Sequence, residues 1–295
     1  MAYVFEVKDL CFKYPKHQED TIKSISFSVE KGIIFGLLGP SGAGKSTTQK
    51  ILTKLLTGYT GSILYDGEDL NSYNKSYYEN IGVGFEMPVH FNKLTALENL
   101  KYFAGLYKKT INYEELLRRV GLYEAKDQMV GEFSKGMKIR LNFVRALLND
   151  PDVIFLDEPT NGLDPKNAKV IKDIIHELKN QGKTIFITTH LMGDVEQLCD
   201  KVVFITKGKI SQVSTPRELK LKYGKKEIYV EYLNGNSRKK DTFSLEGIGT
   251  DEAFLSVIKN YDIETIHSGE TSMEDIFIKV TGEEKYESCT SFSQR

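Results

Sequence analysis

At 295 residues the chain has room for one large or two modest domains. Its composition is 40% apolar and 27% charged with a net charge of −1, ordinary for a soluble globular protein and without the polybasic bias that points to nucleic acid or anionic lipid. Cys11, Cys199 and Cys289 are too few and too far apart for a zinc site or a disulfide framework, and they fit a reducing cytosol. The first residues, Met-Ala-Tyr-Val-Phe-Glu, lack a basic-then-apolar signal region, and no apolar run is long enough to span a bilayer. Work at a membrane would therefore require another chain to supply the span.

Residues 3–7 and 26–29 alternate as half-exposed antiparallel strands do. Short apolar runs at 33–38, 81–85, 153–157, 184–188 and 202–205 read as buried strands. Between and beside them, 44–56, 96–107, 113–120, 135–148, 165–180 and 193–199 read as helices, giving a parallel α/β core. Gly208, in Thr206-Lys207-Gly208-Lys209, marks a tight turn between two strands. A boundary falls near 223–226: up to residue 223 there are 31 basic and 27 acidic side chains, and the remainder has 9 and 14. Residues 224–281 read as strand, strand, helix, strand, helix, a small α+β domain, and 282–295 as a polar tail.

The chemistry-bearing residues follow the strands. Gly39-Pro40-Ser41-Gly42-Ala43-Gly44-Lys45-Ser46-Thr47 fits the P-loop pattern between an apolar strand and a helix. Its glycines let backbone N–H groups wrap a phosphate, and the helix N-terminus adds positive potential. Lys45 would reach the β- and γ-phosphates and Ser46 would bind magnesium. Tyr14, just before a loop, either stacks on an adenine ring or is an ordinary tyrosine. Asp157 and Glu158 lie at the carboxyl end of a buried strand, where ligand sites of open α/β sheets gather. Asp157 would hold magnesium through water, and Glu158 would orient or deprotonate the attacking water. Asp164 before Pro165 makes a good helix N-cap and first-turn pair. Thr188-Thr189-His190 ends the next strand at the same sheet edge, so His190 can bond a γ-phosphate. His17, His90, His176 and His267 have no such context and read as surface residues.

The order Tyr14, P-loop, a strand-end residue at 86, Ser134-Lys135-Gly136, Asp157-Glu158, Asp164, His190 resembles the ATP-binding-cassette (ABC) ATPases over residues 3 to 220. The resemblance implies a P-loop ATPase core with an antiparallel N-terminal β subdomain and a helical subdomain at about 87–150. It implies that Tyr14 stacks on adenine, that Ser134 and Gly136 form the signature turn binding the γ-phosphate held by an opposite subunit, and that Asp164 links the two sites. Glu158 then matches the base and His190 the switch histidine. Ser134 can equally be the N-cap of the helix that follows. Two positions depart from the family pattern. Phe133-Ser134-Lys135-Gly136-Met137 replaces Leu-Ser-Gly-Gly-Gln, and looks like the branch that exports drugs, peptides and polysaccharide-type cargo. Glu86 stands where a glutamine is usual. It can still bind magnesium, but it adds negative charge and, ionised, cannot donate a hydrogen bond.

The function so implied is the ATP- and Mg2+-dependent ATPase subunit of an exporter. Its partners are a second cassette subunit, identical or paralogous, and a separate membrane-spanning permease that holds it at the cytoplasmic face of the membrane; nucleic acid is not a partner. Met87, Pro88, Phe91, Leu94 and the following helix read either as the permease-docking surface or as ordinary core of a helical subdomain. An importer subunit or a soluble ABC ATPase of cofactor assembly are the alternatives. Ser272-Met273-Glu274-Asp275-Ile276-Phe277 resembles the end of the small domain appended to drug- and bacteriocin-type exporters, or is an amphipathic helix with Met273, Ile276, Phe277 and Val280 on one face.

Overall fold

The computed structural model describes residues 2–282 apart from Lys16, Pro88, Asn236 and Glu270. The chain divides between Thr215 and Pro216 into two units. Of the expected tail at 282–295, all but Gly282 lies outside the described residues.

The first unit opens with β1 (Tyr3–Phe12) antiparallel to β2 (Ile22–Glu30). Asp9, at φ 48°, interrupts the alternation, so the buried phase passes from Phe5 and Val7 to Leu10 and Phe12. After β3 (Ile34–Leu38) and α1 (Lys45–Leu52), β4 (Thr60–Tyr65) and β5 (Glu68–Asp69) complete a sheet of order β2-β1-β4-β5. A short helix α2 (Tyr77–Asn80) leads into β6 (Ile81–Gly84). The helical segment α3 (Ala96–Ala104), α4 (Tyr113–Arg119) and α5 (Lys135–Arg145) follows. Then come β7 (Val153–Asp157), α6 (Pro165–Asn180), β8 (Thr184–Thr189), α7 (Met192–Leu198), β9 (Lys201–Thr206) and β10 (Lys209–Ser214).

The central sheet has the order β10-β9-β3-β8-β7-β6 and is parallel except for β10. Every residue of β3, β7 and β8 is buried, as strands covered on both faces require. Phe5, Phe35, Phe155 and Phe186 form the aromatic seam between the two sheets. The order places the carboxyl ends of β3, β8, β7 and β6 side by side, and the residues that follow each of them are the candidate site residues.

Several helices stop short of their apolar pattern. α1 ends at Leu52 rather than residue 56 because Lys54 adopts φ 58° and the N–H groups of Leu55 and Leu56 fold back on the Lys50 carbonyl. α5 ends at Arg145 rather than residue 148, in a turn closed by Asp150 at φ 51°. α3 starts on a capping box between Thr95 and Glu98.

The second unit begins with α8 (Pro216–Tyr223), a short, largely polar helix that buries only Leu219. β11 (Glu227–Asn234), β12 (Ser237–Ser244) and β13 (Asp262–Ser268) form an antiparallel sheet of order β12-β11-β13. α9 (Glu252–Asn260) covers a small core of Val230, Tyr232 and Val257, with Phe243, Phe254 and Ile263 around it. α10 (Met273–Thr281) buries Met273, Ile276 and Phe277 and packs against α8.

The segment between β6 and β7 is set on the sheet by contact without a side chain. A Cβ at Gly82 in β6 would lie 1.8 Å from the carbonyl oxygen of Ala146, the C-cap of α5. Asn149 reinforces the contact, its Nδ2 donating to the Glu79 and Ile81 carbonyls at 2.9 and 3.0 Å. Gly82→Ala is expected to destabilise the chain by about 1–3 kcal/mol through overpacking, measured by urea denaturation.

Candidate active site

The strand after which the P-loop begins sits between β9 and β8, so the loop emerges from the middle of the sheet. Gly44 opens α1 at φ 112°, and a Cβ there would strike Ile22 Cδ1 at 2.5 Å. No side chain caps α1. Its first N–H groups thus face the loop concavity, an arrangement suited to phosphate. Lys45 is buried and its Nζ donates to the carbonyls of Gly39 and Pro40 at 2.6 and 3.1 Å. Burial pulls the ammonium pKa down, while the carboxylates of Glu158, Asp157 and Glu86 oppose that shift.

The loop borders a cavity of about 420 Å³. Tyr14, Pro40, Ser41, Gly42, Gly44, Lys45, Ser46, Thr47, Glu86, Asp157, Glu158 and His190 all line it. Twelve residues singled out from the sequence thus meet in one place, and Gly39 and Ala43 complete the loop behind them. Tyr14 packs edge-on against Phe12, with its hydroxyl 3.2 Å from Thr47 Oγ1. Its ring is half-exposed at the cavity edge, where an aromatic base can stack.

The carboxylates are held by the end of β8. Asp157 pairs in register with Thr188, whose hydroxyl donates to Asp157 Oδ1. Glu158 leaves the strand at φ 52°, a left-handed conformation that costs a non-glycine residue free energy. The turn is fixed by its N–H on the Thr188 carbonyl at 2.9 Å. Its side chain accepts from Thr189 Oγ1 at 3.0 Å and lies 2.7 Å from His190 Nδ1. Burial pushes the Asp157 carboxyl above its ordinary range, against hydrogen bonds from Thr188 and Ser46. The Glu158 hydrogen bond raises the His190 imidazole pKa, against burial and the Lys45 charge. The hydroxyl of Ser46 and the carboxylate of Asp157 are already bonded partners, and Glu86 lines the same cavity. These hard oxygen donors fit a magnesium ion that also takes phosphate oxygens.

Ser134, Gly136 and Asp164 do not line this cavity. They lie close to one another on an exposed face: a Cβ on Gly136 would meet Leu163 Cδ2 at 3.5 Å. Ser134 caps α5, its hydroxyl accepting from the Met137 N–H at 3.2 Å, and Asp164 caps α6 through the Asn167 N–H at 3.0 Å. Both capping readings therefore hold structurally. Lys135, the departure in the turn, has a structural partner: its chain runs over Gly162, where a Cβ would lie 3.1 Å from Cε and 3.2 Å from Nζ.

Sequence reasoning missed two cavity residues, His17 and Thr21. His17 was read as an isolated surface histidine. It is exposed, but the turn from Tyr14 brings its ring within 5.4 Å of that tyrosine. The proline after Tyr14 was the one local signal for that turn. His90 is half-buried rather than free at the surface: its Nε2 lies 3.1 Å from the Lys138 carbonyl, and burial, followed by the Arg145 charge, lowers its pKa to about 4. Of the proposed docking residues, Met87 is 83% exposed, Phe91 is exposed and Leu94 half-buried, while Pro88 lies outside the described residues. Met87 and Phe91 are therefore not core.

A parallel sheet with a P-loop after its central strand and a buried Asp-Glu pair at the end of a neighbouring strand defines a P-loop nucleoside triphosphatase. The family model described as ABC transporter matches residues 22–161, and one described as the fluoroquinolone efflux ABC transporter C-terminal domain matches 226–270. A fluoroquinolones export ATP-binding protein of Mycobacterium tuberculosis is 48% identical over 281 residues, covering 95% of this chain and 93% of that protein. The bacitracin transport ATP-binding protein of Bacillus licheniformis is 35% identical over 267 residues, covering 89% and 81%. Among solved structures, an ATP-binding subunit of an ABC transporter superposes with a TM-score of 0.68 at 30% identity, covering 75% of this chain and 93% of that one. The chain belongs to the ABC transporter ATP-binding subunits of the export type, and ATP hydrolysis is its chemistry. Among the described residues no helix is long and apolar enough to cross a membrane.

The Glu158–His190 pair has a pH signature. Because the folded imidazole pKa lies above its ordinary 6.5, the pair's stabilisation is complete below that value and fades as pH rises through the raised one. In an NMR titration His190 is expected to titrate above 6.5, and Glu158→Gln to bring the value down, since the charge and charged hydrogen-bond partner that raise it most are then gone while burial and Lys45 still lower it against Glu86.

Proposed function

We propose that two copies of this chain, or this chain and a paralogue, close on two ATP molecules and power export of a fluoroquinolone-type drug through a separate permease. The likeness to the mycobacterial fluoroquinolone export protein, which runs through both units, carries this reading. In each site Lys45 and the P-loop N–H groups bind the β- and γ-phosphates, and Tyr14 stacks on the adenine. Ser46 and Asp157 hold the magnesium ion, with Glu86 beside them; bound there, it neutralises the charge that develops on the phosphate oxygens. Glu158 takes a proton from the attacking water, and His190, bonded to Glu158, faces the γ-phosphate. The exposed face of Ser134, Gly136 and Asp164 meets the ATP of the other subunit. A second subunit is needed because these residues stand outside their own chain's cavity.

Permease docking falls on the segment after Glu86. An apolar cavity of about 460 Å³ lies there, lined among others by Leu55, Val83, Val89, Phe103 and Leu106, with Arg145 at its edge. Val89 and Leu106 are 79% and 66% exposed. An amphipathic helix from a permease, presented at the cytoplasmic face of the membrane, suits such a groove.

Glu158→Gln is expected to retain ATP binding, lower turnover by about a hundredfold or more, and accumulate an ATP-bound dimer in size-exclusion chromatography. In cells expressing chain and permease, the same variant should raise fluoroquinolone accumulation to the level of cells lacking both. Unchanged drug accumulation with normal ATPase loss would reject the cargo alone. Leu106→Asp should keep ATP turnover in solution but lose co-sedimentation with permease-containing membranes; normal recovery would place docking elsewhere.

A further inference from the structure

Asp194 is a buried acid that none of the roles above uses. It is 7% exposed, in the first turn of α7, four residues after His190. Two side chains converge on it. The Thr160 hydroxyl, buried and two residues after Glu158, donates to Asp194 Oδ2. Lys172 Nζ, on α6, lies 2.5 Å from Asp194 Oδ1 and also donates to Gln197 Oε1 at 2.8 Å. Each partner comes from a segment that carries a site residue: Thr160 from the turn of Glu158, α7 from the strand end of His190, and α6 from the cap Asp164. The turn between them is tight, with the Asn161 N–H on the Glu158 carbonyl at 3.2 Å and the Leu163 N–H on the Thr160 carbonyl at 3.1 Å.

A carboxylate removed from water is retained only where hydrogen bonds and an opposite charge satisfy it. Here that requirement converts into geometry, because Asp194 can keep both partners only if the three segments hold one mutual arrangement. Glu158 sits at φ 52° and needs external support to stay there. Thr160, anchored on Asp194, supplies that support from within the turn, and Thr189 and His190 bond the Glu158 side chain itself.

We infer that Asp194 is a positioning residue for ATP hydrolysis, which fixes the Glu158 turn against His190 through Thr160 and ties both to α6 through Lys172. It does not touch the cavity and binds no nucleotide. The inference rests on Glu158 as the base, and a shift of that base by a fraction of an ångström affects turnover far more than ATP binding.

The test compares Thr160→Val, Thr160→Ser and Asp194→Asn in the full chain. Thr160→Val removes the hydroxyl at nearly constant volume. Its kcat at saturating ATP and magnesium should fall about tenfold with KM for ATP within about twofold, and Thr160→Ser should restore kcat. Asp194→Asn should fall at least as far as Thr160→Val; if it fails to fold, the two Thr160 variants decide. Parent-like kcat in Thr160→Val overturns the inference. So does a fall that Thr160→Ser shares, or one matched by an equal loss of ATP-binding sites. Glu158→Gln, run alongside, separates the two readings: parent-like turnover in that variant rejects the base itself, whatever Thr160→Val does.

Discussion

Three consecutive residues at the end of β8 hold two consecutive residues at the end of β7. Thr188 bonds Asp157, and Thr189 and His190 bond Glu158. The register of the two parallel strands makes this possible, because Asp157 stands opposite Thr188 and the next residue turns out of the strand. A slip of one residue would send Asp157 to the opposite face of the sheet and leave two buried carboxylates without donors. The fully buried sequences of β7 and β8, anchored by Phe155 against Phe186, fix that register from the core side. The geometry of the carboxylate pair is thus a consequence of how two hydrophobic strands pack.

The electrostatics of the cavity follow from the same placement. Three carboxylates, Glu86, Asp157 and Glu158, face one buried lysine, and each raises the pKa of that lysine against the effect of burial. A triphosphate entering such a site meets repulsion that Lys45 and the N-terminus of α1 offset only in part. A divalent cation, held by the oxygen donors present, would offset that repulsion, and Glu86, an added charge where an amide is usual, would increase the need for one.

The parallel core was legible because its strands are continuous apolar runs and its P-loop lies between a strand and a helix. α6 was readable to its ends, since Asp164-Pro165 marks its start and its apolar residues keep helical spacing to Asn180. β4 and α8 were not. β4 begins Thr60-Gly61-Ser62 with its first three residues exposed, and α8 is a short helix in which Arg217, Glu218, Lys220 and Lys222 leave Leu219 as its one buried residue, so neither has a face that composition reveals. In the site, residues whose type announces their chemistry were found: a P-loop lysine, strand-end carboxylates, a strand-end histidine. His17 and Thr21 were not, because their place in the cavity comes from a turn and from β2 folding beside the loop. Asp194 escaped for a related reason: its partners, Thr160 and Lys172, are distant in sequence and only the docking of α6 and α7 on the sheet unites them.

Lys135 gains its explanation from the exposed face rather than from the cavity. Its chain lies over Gly162, a position with φ 83° and no side chain to stand in the way. The Ser134 turn and the loop leading to Asp164 are therefore in side-chain contact, and that loop also begins α6, which carries Lys172 to Asp194. From the exposed face of Ser134, Gly136 and Asp164 a continuous set of contacts thus runs along α6 to Asp194 and from there to Thr160 in the turn of Glu158. A glycine at position 135, as in the commoner signature, would lack the side chain that makes the first of these contacts. The substitution that narrows the family reading is thus also the one that brings a side chain of the Ser134 turn onto the loop before Asp164.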